Sequence, residues 1–264
     1  MAILLSTNMY HTDEFHEIAD YIRAFTRGIG VEVFPLFHDP EFEDALTLQM
    51  NALEGLPISF HGPYYQAEHS APEGTEEFER TMRMVRKTLD YSRLLKSRYL
   101  VYHHNNVRVD PEKKDEMIRI SWHNYQLVKE MFRPYGIAVA VENVGVHERG
   151  NVLFEQDAFT WLCRREQCPV LIDIGHAHAN GWDLPKLMTD LRGQIISYHL
   201  HNNDGHHDSH QRIHNGTLDF GAFLRAWRRN GRMTDWVLEY AHDVIPDREG
   251  IVEDILFLQK EYHL

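Results

Sequence analysis

A chain of 264 residues, 43% hydrophobic and 25% charged, has the composition of an ordinary globular protein with enough apolar residues for one large α/β core or two small ones. Its formal net charge of −13 with histidine neutral is a poor match for a polyanion, because nucleic-acid affinity comes largely from lysine and arginine neutralising phosphates. Three bound dications would still leave it at about −7.

No apolar run reaches membrane-spanning length, and the opening MAILLSTNMYHTDE lacks a basic stretch and a cleavage site. A cytoplasmic protein is expected. Cys163 and Cys168, with four residues between them in a helix-to-strand segment, form neither a disulfide framework nor a zinc knuckle. They read as reduced, half-buried packing residues.

In chain order, 2–6 (AILLS) is a short apolar run without period, as expected of a strand buried on both faces. Over 12–26, Phe15, Ile18, Ala19, Ile22 and Phe25 recur at helical spacing, with Asp13 and Glu14 in the first turn and Gly28 as the stop. Strands are predicted over 31–36, 57–60, 99–102, 137–141, 170–172, 195–200 and 236–238. Helices are predicted over 41–52, 75–96, 156–165, 184–191, 220–229 and 248–262. Asp110-Pro111-Glu112 predicts one more helix start, with Asp110 as N-cap and Pro111 at the first helical position.

Eight hydrophobic strands thus alternate with eight helices, uninterrupted by any linker or low-complexity stretch. This pattern predicts parallel strands with helical crossovers, and at this length one closed (β/α)8 TIM barrel over residues 1–264. An open doubly wound sheet is the alternative, but STNMYHT after the first strand holds no glycine-rich phosphate cradle.

A barrel carries its chemistry at the C-terminal ends of its strands. The third ends in Phe60-His61, the fourth in Tyr102-His103-His104, and the fifth in Val141-Glu142-Asn143. The sixth ends in Ile172-Asp173, with His176 just beyond, the seventh in His199-Leu200-His201, and the eighth in Leu238-Glu239. The loop after the seventh adds Asp208 and His210. Six consecutive strands ending on imidazole or carboxylate are costly to bury unpaired, and a divalent metal relieves that cost. The 19 histidines of the chain call for the same explanation.

The motifs HGPY (61–64), VEN (141–143), LIDIGHAHANGWD (171–183), HLHNNDG (199–205), DSH, NGTLDF and LEY resemble the xylose-isomerase-like, or AP-endonuclease-type, barrel superfamily. That group includes endonuclease IV and many sugar phosphate isomerases and epimerases. The resemblance implies up to three divalent ions (Zn, Mn, Co or Fe). His61, His103 and Glu142 would hold one. Glu142, Asp173, His201 and Glu239 would hold a second, and His176, Asp208 and His210 a third. His104 is an alternative to His103, and His199 to His201.

Two chemistries suit this mouth. In one, Glu142 and Glu239 are the catalytic acid–base pair of a sugar or sugar-phosphate isomerase or epimerase. In the other, clustered metals hydrolyse a phosphodiester, as the endonuclease-IV-like ligand set implies. The loops argue against a DNA substrate, because Arg108, Arg149, Arg212 and Arg248 are outnumbered there by carboxylates such as Asp39, Glu41, Glu148 and Asp243. A small sugar is the expected partner, and a homo-oligomer is compatible with the sequence. A metal-binding scaffold without turnover is the third reading. Weaker substrate-contact candidates are Tyr64, Trp182, Arg149 and Arg212. Glu32 reads as a structural hydrogen-bond partner, and Asn143 as a residue orienting Glu142.

Overall fold

The computed structural model describes residues 2–25, 29–230 and 234–262. The apolar runs form strands Ile3–Ser6 (β1), Ile29–Val33 (β2), Ile58–His61 (β3), Tyr99–Tyr102 (β4), Ala138–Glu142 (β5), Val170–Asp173 (β6), Ile195–Leu200 (β7) and Asp235–Leu238 (β8). Each pairs in parallel with the next, and β1 closes on β8 through Ile3–Trp236 and Leu5–Leu238, giving a closed barrel in strand order 1 to 8. The open-sheet alternative is therefore set aside.

Around it run Ile18–Ala24 (α1), Phe42–Leu53 (α2), Glu76–Leu94 (α3), Lys114–Phe132 (α4), Gln156–Glu166 (α5), Ile174–Ala179 (α6), Leu184–Asp190 (α7), Phe220–Asn230 (α8) and Arg248–Tyr262 (α9). Among the described residues, no helix is long and apolar enough to cross a membrane.

Strand alternation divides the core. Outward side chains such as Val31, Phe60, Tyr102, Tyr198 and Trp236 pack under the helices in one large cluster. Inward ones form small plugs, Tyr99, Val101, Ala140 and Leu171 in one, and Ala2, Leu4 and Val237 in another. Above the plugs the interior turns polar, with Glu32, Ser59, Ser197 and His199 fully buried.

Several boundaries differ from expectation for local reasons. The expected helix over 12–26 is split into a 3-10 segment, Thr12–Glu17, and α1. His11 N–H donates to Glu14 Oε2 at 3.0 Å, which tightens that first turn. The expected stop at Gly28, and the end of that helix at Thr26, lie outside the described residues. Strand β2 ends at Val33, because Phe34 N–H donates to Thr7 Oγ1 instead of the ladder.

Asp110 does not cap a helix. Its carboxylate accepts from Glu112 N–H at 3.0 Å in a turn of its own, and α4 starts at Lys114. Helix α6 was not foreseen. Asp173 both ends β6 and caps α6 by accepting from His176 N–H at 2.6 Å, so no spacer marks the boundary. The cysteines are free and fully buried, not half-buried.

Candidate metal centre at the barrel mouth

The last inward residue of each strand from β3 to β8, or the residue just past it, meets at one mouth. His61, Glu142, Asp173, His199 and His201 are all at most 2% exposed, and Glu239 3%. His103 and His176 are buried too, and both line the mouth with Asp208 and His210.

One group of ligand atoms is formed by His61, His103 and Glu142. His103 Nε2 lies 3.0 Å from Glu142 Oε2, and His61 Nε2 3.9 Å. A second centres on His199, whose Nδ1 is 3.1 Å from Glu239, 3.6 Å from Glu142 and 3.7 Å from Asp173. A third joins His176, His201, Asp208 and His210. His176 links it to the others, with Nδ1 3.0 Å from Glu142 Oε1 and Nε2 3.4 Å from Asp208 Oδ2.

The expected ligand grouping thus changes at one point. His199 stands among Glu142, Asp173 and Glu239, where His201 was expected. His201 stacks on His210 at 3.8 Å, while its Nε2 still reaches Asp173 at 3.0 Å. Both imidazoles leave the same face of the β7 path, but His201 sits two residues nearer the opening. Of the other pair, His103 enters the mouth. His104 points under the helices, bonded to Ser121 Oγ at 3.0 Å, and burial pushes its imidazole down to about 3.

The donor set fits divalent cations on grounds of hydrogen bonding. His61 Nδ1 donates to Gly62 O at 2.7 Å. His103 Nδ1 meets Asn106 Oδ1 at 3.0 Å, and the Asn106 amide nitrogen is committed to the carbonyls of Tyr64 and Ala67. Both rings therefore turn an Nε2 lone pair inward, and those two nitrogens face each other at 3.1 Å. Burial first, then His103, pushes His61 down to about 3, so it stays neutral. Two lone pairs and a carboxylate in such contact are stabilised by a cation.

The same arrangement recurs. His210 Nδ1 donates to Glu239 O at 3.0 Å, leaving Nε2 3.1 Å from Asp208. His199 Nε2 meets Glu32 Oε1 at 3.0 Å, leaving Nδ1 toward the carboxylates. Buried atoms without a hydrogen-bond partner include Glu142 Oε1, His176 Nδ1, His199 Nδ1, His201 Nδ1 and Asp208 Oδ1, all on residues of this cluster.

Burial alone would raise the carboxylates. The imidazoles outweigh it, His199 holding Glu239 down to about 2 and His103 holding Glu142 well below the ordinary range. Conversely, burial lowers His210, but where no ion stands between them Asp208 outweighs it and sets that ring at about 9, holding a proton that a bound cation would displace.

The weaker candidates divide. Tyr64 lines the mouth, its ring 5.8 Å from His103. Arg149 also lines it, but its guanidinium is paired with Asp208 Oδ2 at 3.2 Å. Arg212 faces away, clamped on Asp254 at 2.8 Å and Asp247 at 2.7 Å. Trp182 packs in the helical layer, 6.1 Å from Phe159. Asn143 does not orient Glu142; it brackets the backbone of Asp173, donating to its carbonyl at 2.9 Å and accepting from its N–H at 2.8 Å.

Sequence reasoning missed Phe34, stacked on His61 at 4.4 Å, because the strand was expected to run past it. It also missed Asn106, which orients His103, and Tyr65 at the rim. Four further histidines near the mouth's loops lie outside the cluster: His178 bonds to Thr217, His207 to Asp204, His206 packs on His207, and His214 on Phe257.

Comparison with known proteins agrees with this architecture. The family model described as xylose isomerase-like TIM barrel matches residues 13–261. No curated protein sequence matches the chain. A D-tagatose 3-epimerase-like protein superposes with a TM-score of 0.76 at 18% identity, covering 100% of both chains. A Thermus thermophilus protein whose crystals were soaked with ZnCl2 gives 0.74 at 23% identity, covering 99% of this chain and 98% of that one. An AP endonuclease, family 2, from Brucella melitensis gives 0.67 at 16% identity, covering 90% and 92%. At these identities the structures speak for the fold, and the family match speaks for descent: the chain belongs to the xylose isomerase-like TIM barrel family.

Proposed function

We propose that this protein is a divalent-metal-dependent sugar isomerase or epimerase. The observation that carries the reading is the placement of Glu142 and Glu239, both buried, with one oxygen of each within 3.6 Å of the same His199 nitrogen. An ion held by Glu142, Asp173, His199 and Glu239 would polarise the carbonyl and hydroxyl oxygens of a bound sugar. One glutamate takes the proton from the carbon beside the carbonyl, and the other returns one. The surrounding imidazoles favour the ionised form of both carboxylates, the state the base needs, so the glutamate that returns a proton must first take one up from water or a substrate hydroxyl. Phe34 and Tyr64 wall the mouth and limit water around the reacting carbons.

The charge of the lining favours an unphosphorylated sugar over a sugar phosphate. Among the described residues that line the mouth, Arg149 is the one side chain of arginine or lysine, and Asp208 already engages it. The same shortage of cations argues against a nucleic acid.

A second reading, an endonuclease-IV-like trinuclear phosphodiester hydrolase, is favoured by the third ligand group, which a single-ion epimerase does not need. The test assays the purified, metal-loaded protein on free ketoses and aldoses, their phosphates, and an abasic-site duplex. Sugar turnover that is lost in Glu239→Gln with metal retained is expected. Duplex cleavage at low enzyme concentration, without sugar turnover, would reverse the ranking. Metal content adds a check: near three ions per chain, falling to about two in Asp208→Ala/His210→Ala, supports the trinuclear reading.

A further inference from the structure

The mouth is small for a complete ligand site. Its cavity holds about 200 Å³, whereas small-molecule sites run to roughly 300–1,000 Å³. Beside it lies a second trough of about 690 Å³, built from the loops that follow β1, β2, β3 and β8. The two share Asn8, Tyr65 and Ala241 as a common wall.

The chemistry of this trough is specific. Tyr65 is 46% exposed, unusual for so large a ring, and His38 packs against it at 4.8 Å. On the same trough, His11 and His242 stack at 4.2 Å. Flat ring faces at the rim are what the C–H faces of a sugar ring pack on. The same trough is lined by the carboxylates of Asp13, Asp39 and Glu41, a group that accepts hydrogen bonds from hydroxyls. No lysine or arginine lines the trough among the described residues. A phosphate there would meet only negative charge.

We infer that the trough is a second sugar subsite, and that the substrate is an uncharged glycoside, with its reducing-end sugar at the metal cluster and its second ring laid on the exposed surface of the Tyr65–His38 pair. This rests on the sugar-isomerase reading of the mouth and adds the substrate's size and charge. The reducing end stays free in such a molecule, so the proton transfer between Glu142 and Glu239 needs no prior cleavage. The side chains that grip the second ring stand apart from those that handle protons.

The test measures binding by calorimetry to the metal-loaded protein. The probes are free ketoses and aldoses, the same sugars carrying an O-linked glucose or galactose, and the sugar phosphates. At least one glycosyl sugar is expected to bind tenfold or more tightly than its own free reducing-end sugar. That gain should disappear in His38→Ala and shrink in Asp39→Asn, while the free sugar binds both variants as it binds the unmodified protein. Glycosyl sugars that bind no better than free ones, or a gain that survives in both variants, would overturn the subsite and leave the mouth's reading standing. If no sugar binds in any form, the isomerase reading falls and the subsite falls with it.

Discussion

Glu32 Oε1 lies 3.0 Å from His199 Nε2 at the floor of the mouth, and neither residue has any exposed surface. Ser59 Oγ donates to the second Glu32 oxygen at 3.0 Å, so the carboxylate is held from both sides. A carboxylate behind an imidazole fixes its tautomer and turns its other nitrogen toward the ion. Removing it in Glu32→Ala is expected to weaken metal binding by roughly 10–100-fold. Glu32→Gln, whose carbonyl still accepts from Nε2–H, should fall in between. Competition against a chelator reads both, with circular dichroism as the check on folding. An unchanged affinity in a folded Glu32→Ala protein would remove Glu32 from the site.

Gly175 is set in α6 directly beneath His201. A Cβ there would sit 2.0 Å from His201 Cε1 and 2.4 Å from Nδ1. The backbone has no objection to alanine, which favours a helix over glycine by about 1 kcal/mol. The clash is therefore with the ring alone. Gly175→Ala is expected to displace His201 and to lower metal content by the ion held with His176, Asp208 and His210, while the group on His61, His103 and Glu142 keeps its own. Elemental analysis after dialysis decides, and full metal content in the variant would contradict the placement of His201 as a ligand.

The barrel was legible because short apolar strands alternating with amphipathic helices leave few other ways to bury both faces. Much of the mouth was legible too, because His61, Glu142 and Asp173 end their strands. What escaped depended on facts a linear reading lacks. His199 and His201 share a face, and only the height of each residue in the closed barrel assigns their neighbours. Glu32 and His199 are 167 residues apart, and their contact exists only once β2 and β7 close on one interior. Phe34 was hidden by a strand end placed three residues late. Arg212 looked like a loop cation awaiting an anion, and its partners Asp247 and Asp254 come from the far end of the chain.

His69 makes stability fall in acid. It is 2% exposed, its ring 4.7 Å from Tyr102, and burial first, then His103, pushes it down to about 4. An unfolded histidine titrates near 6.5. The folded value is the lower one, so the contribution is complete above about pH 6.5 and is lost as pH falls from there toward 4. Replacing the ring in His69→Asn should shrink the drop in unfolding free energy between pH 7.5 and 5.5 by about 1 kcal/mol. Urea denaturation at the two pH values measures it. An identical drop in both proteins would show that His69 takes up its proton without unfolding.

Arg212 is expected to matter for stability and not for substrate. Its guanidinium bonds to both oxygens of Asp254, at 2.8 and 3.0 Å, and the Asp254 side chain is 1% exposed. Tyr240, buried two residues past the end of β8, donates to the same carboxylate at 2.8 Å. The clamp thus ties the loop after β7 to α9 and to the segment after β8. Arg212→Ala strands a buried carboxylate with one remaining donor, a loss of about 3–5 kcal/mol for a broken buried pair. Lysine keeps the charge but lacks the planar fork, so Arg212→Lys should recover only part of it. Below the unfolding transition, KM and metal content should match those of the unmodified protein. A raised KM with an unchanged urea midpoint would instead return Arg212 to the substrate.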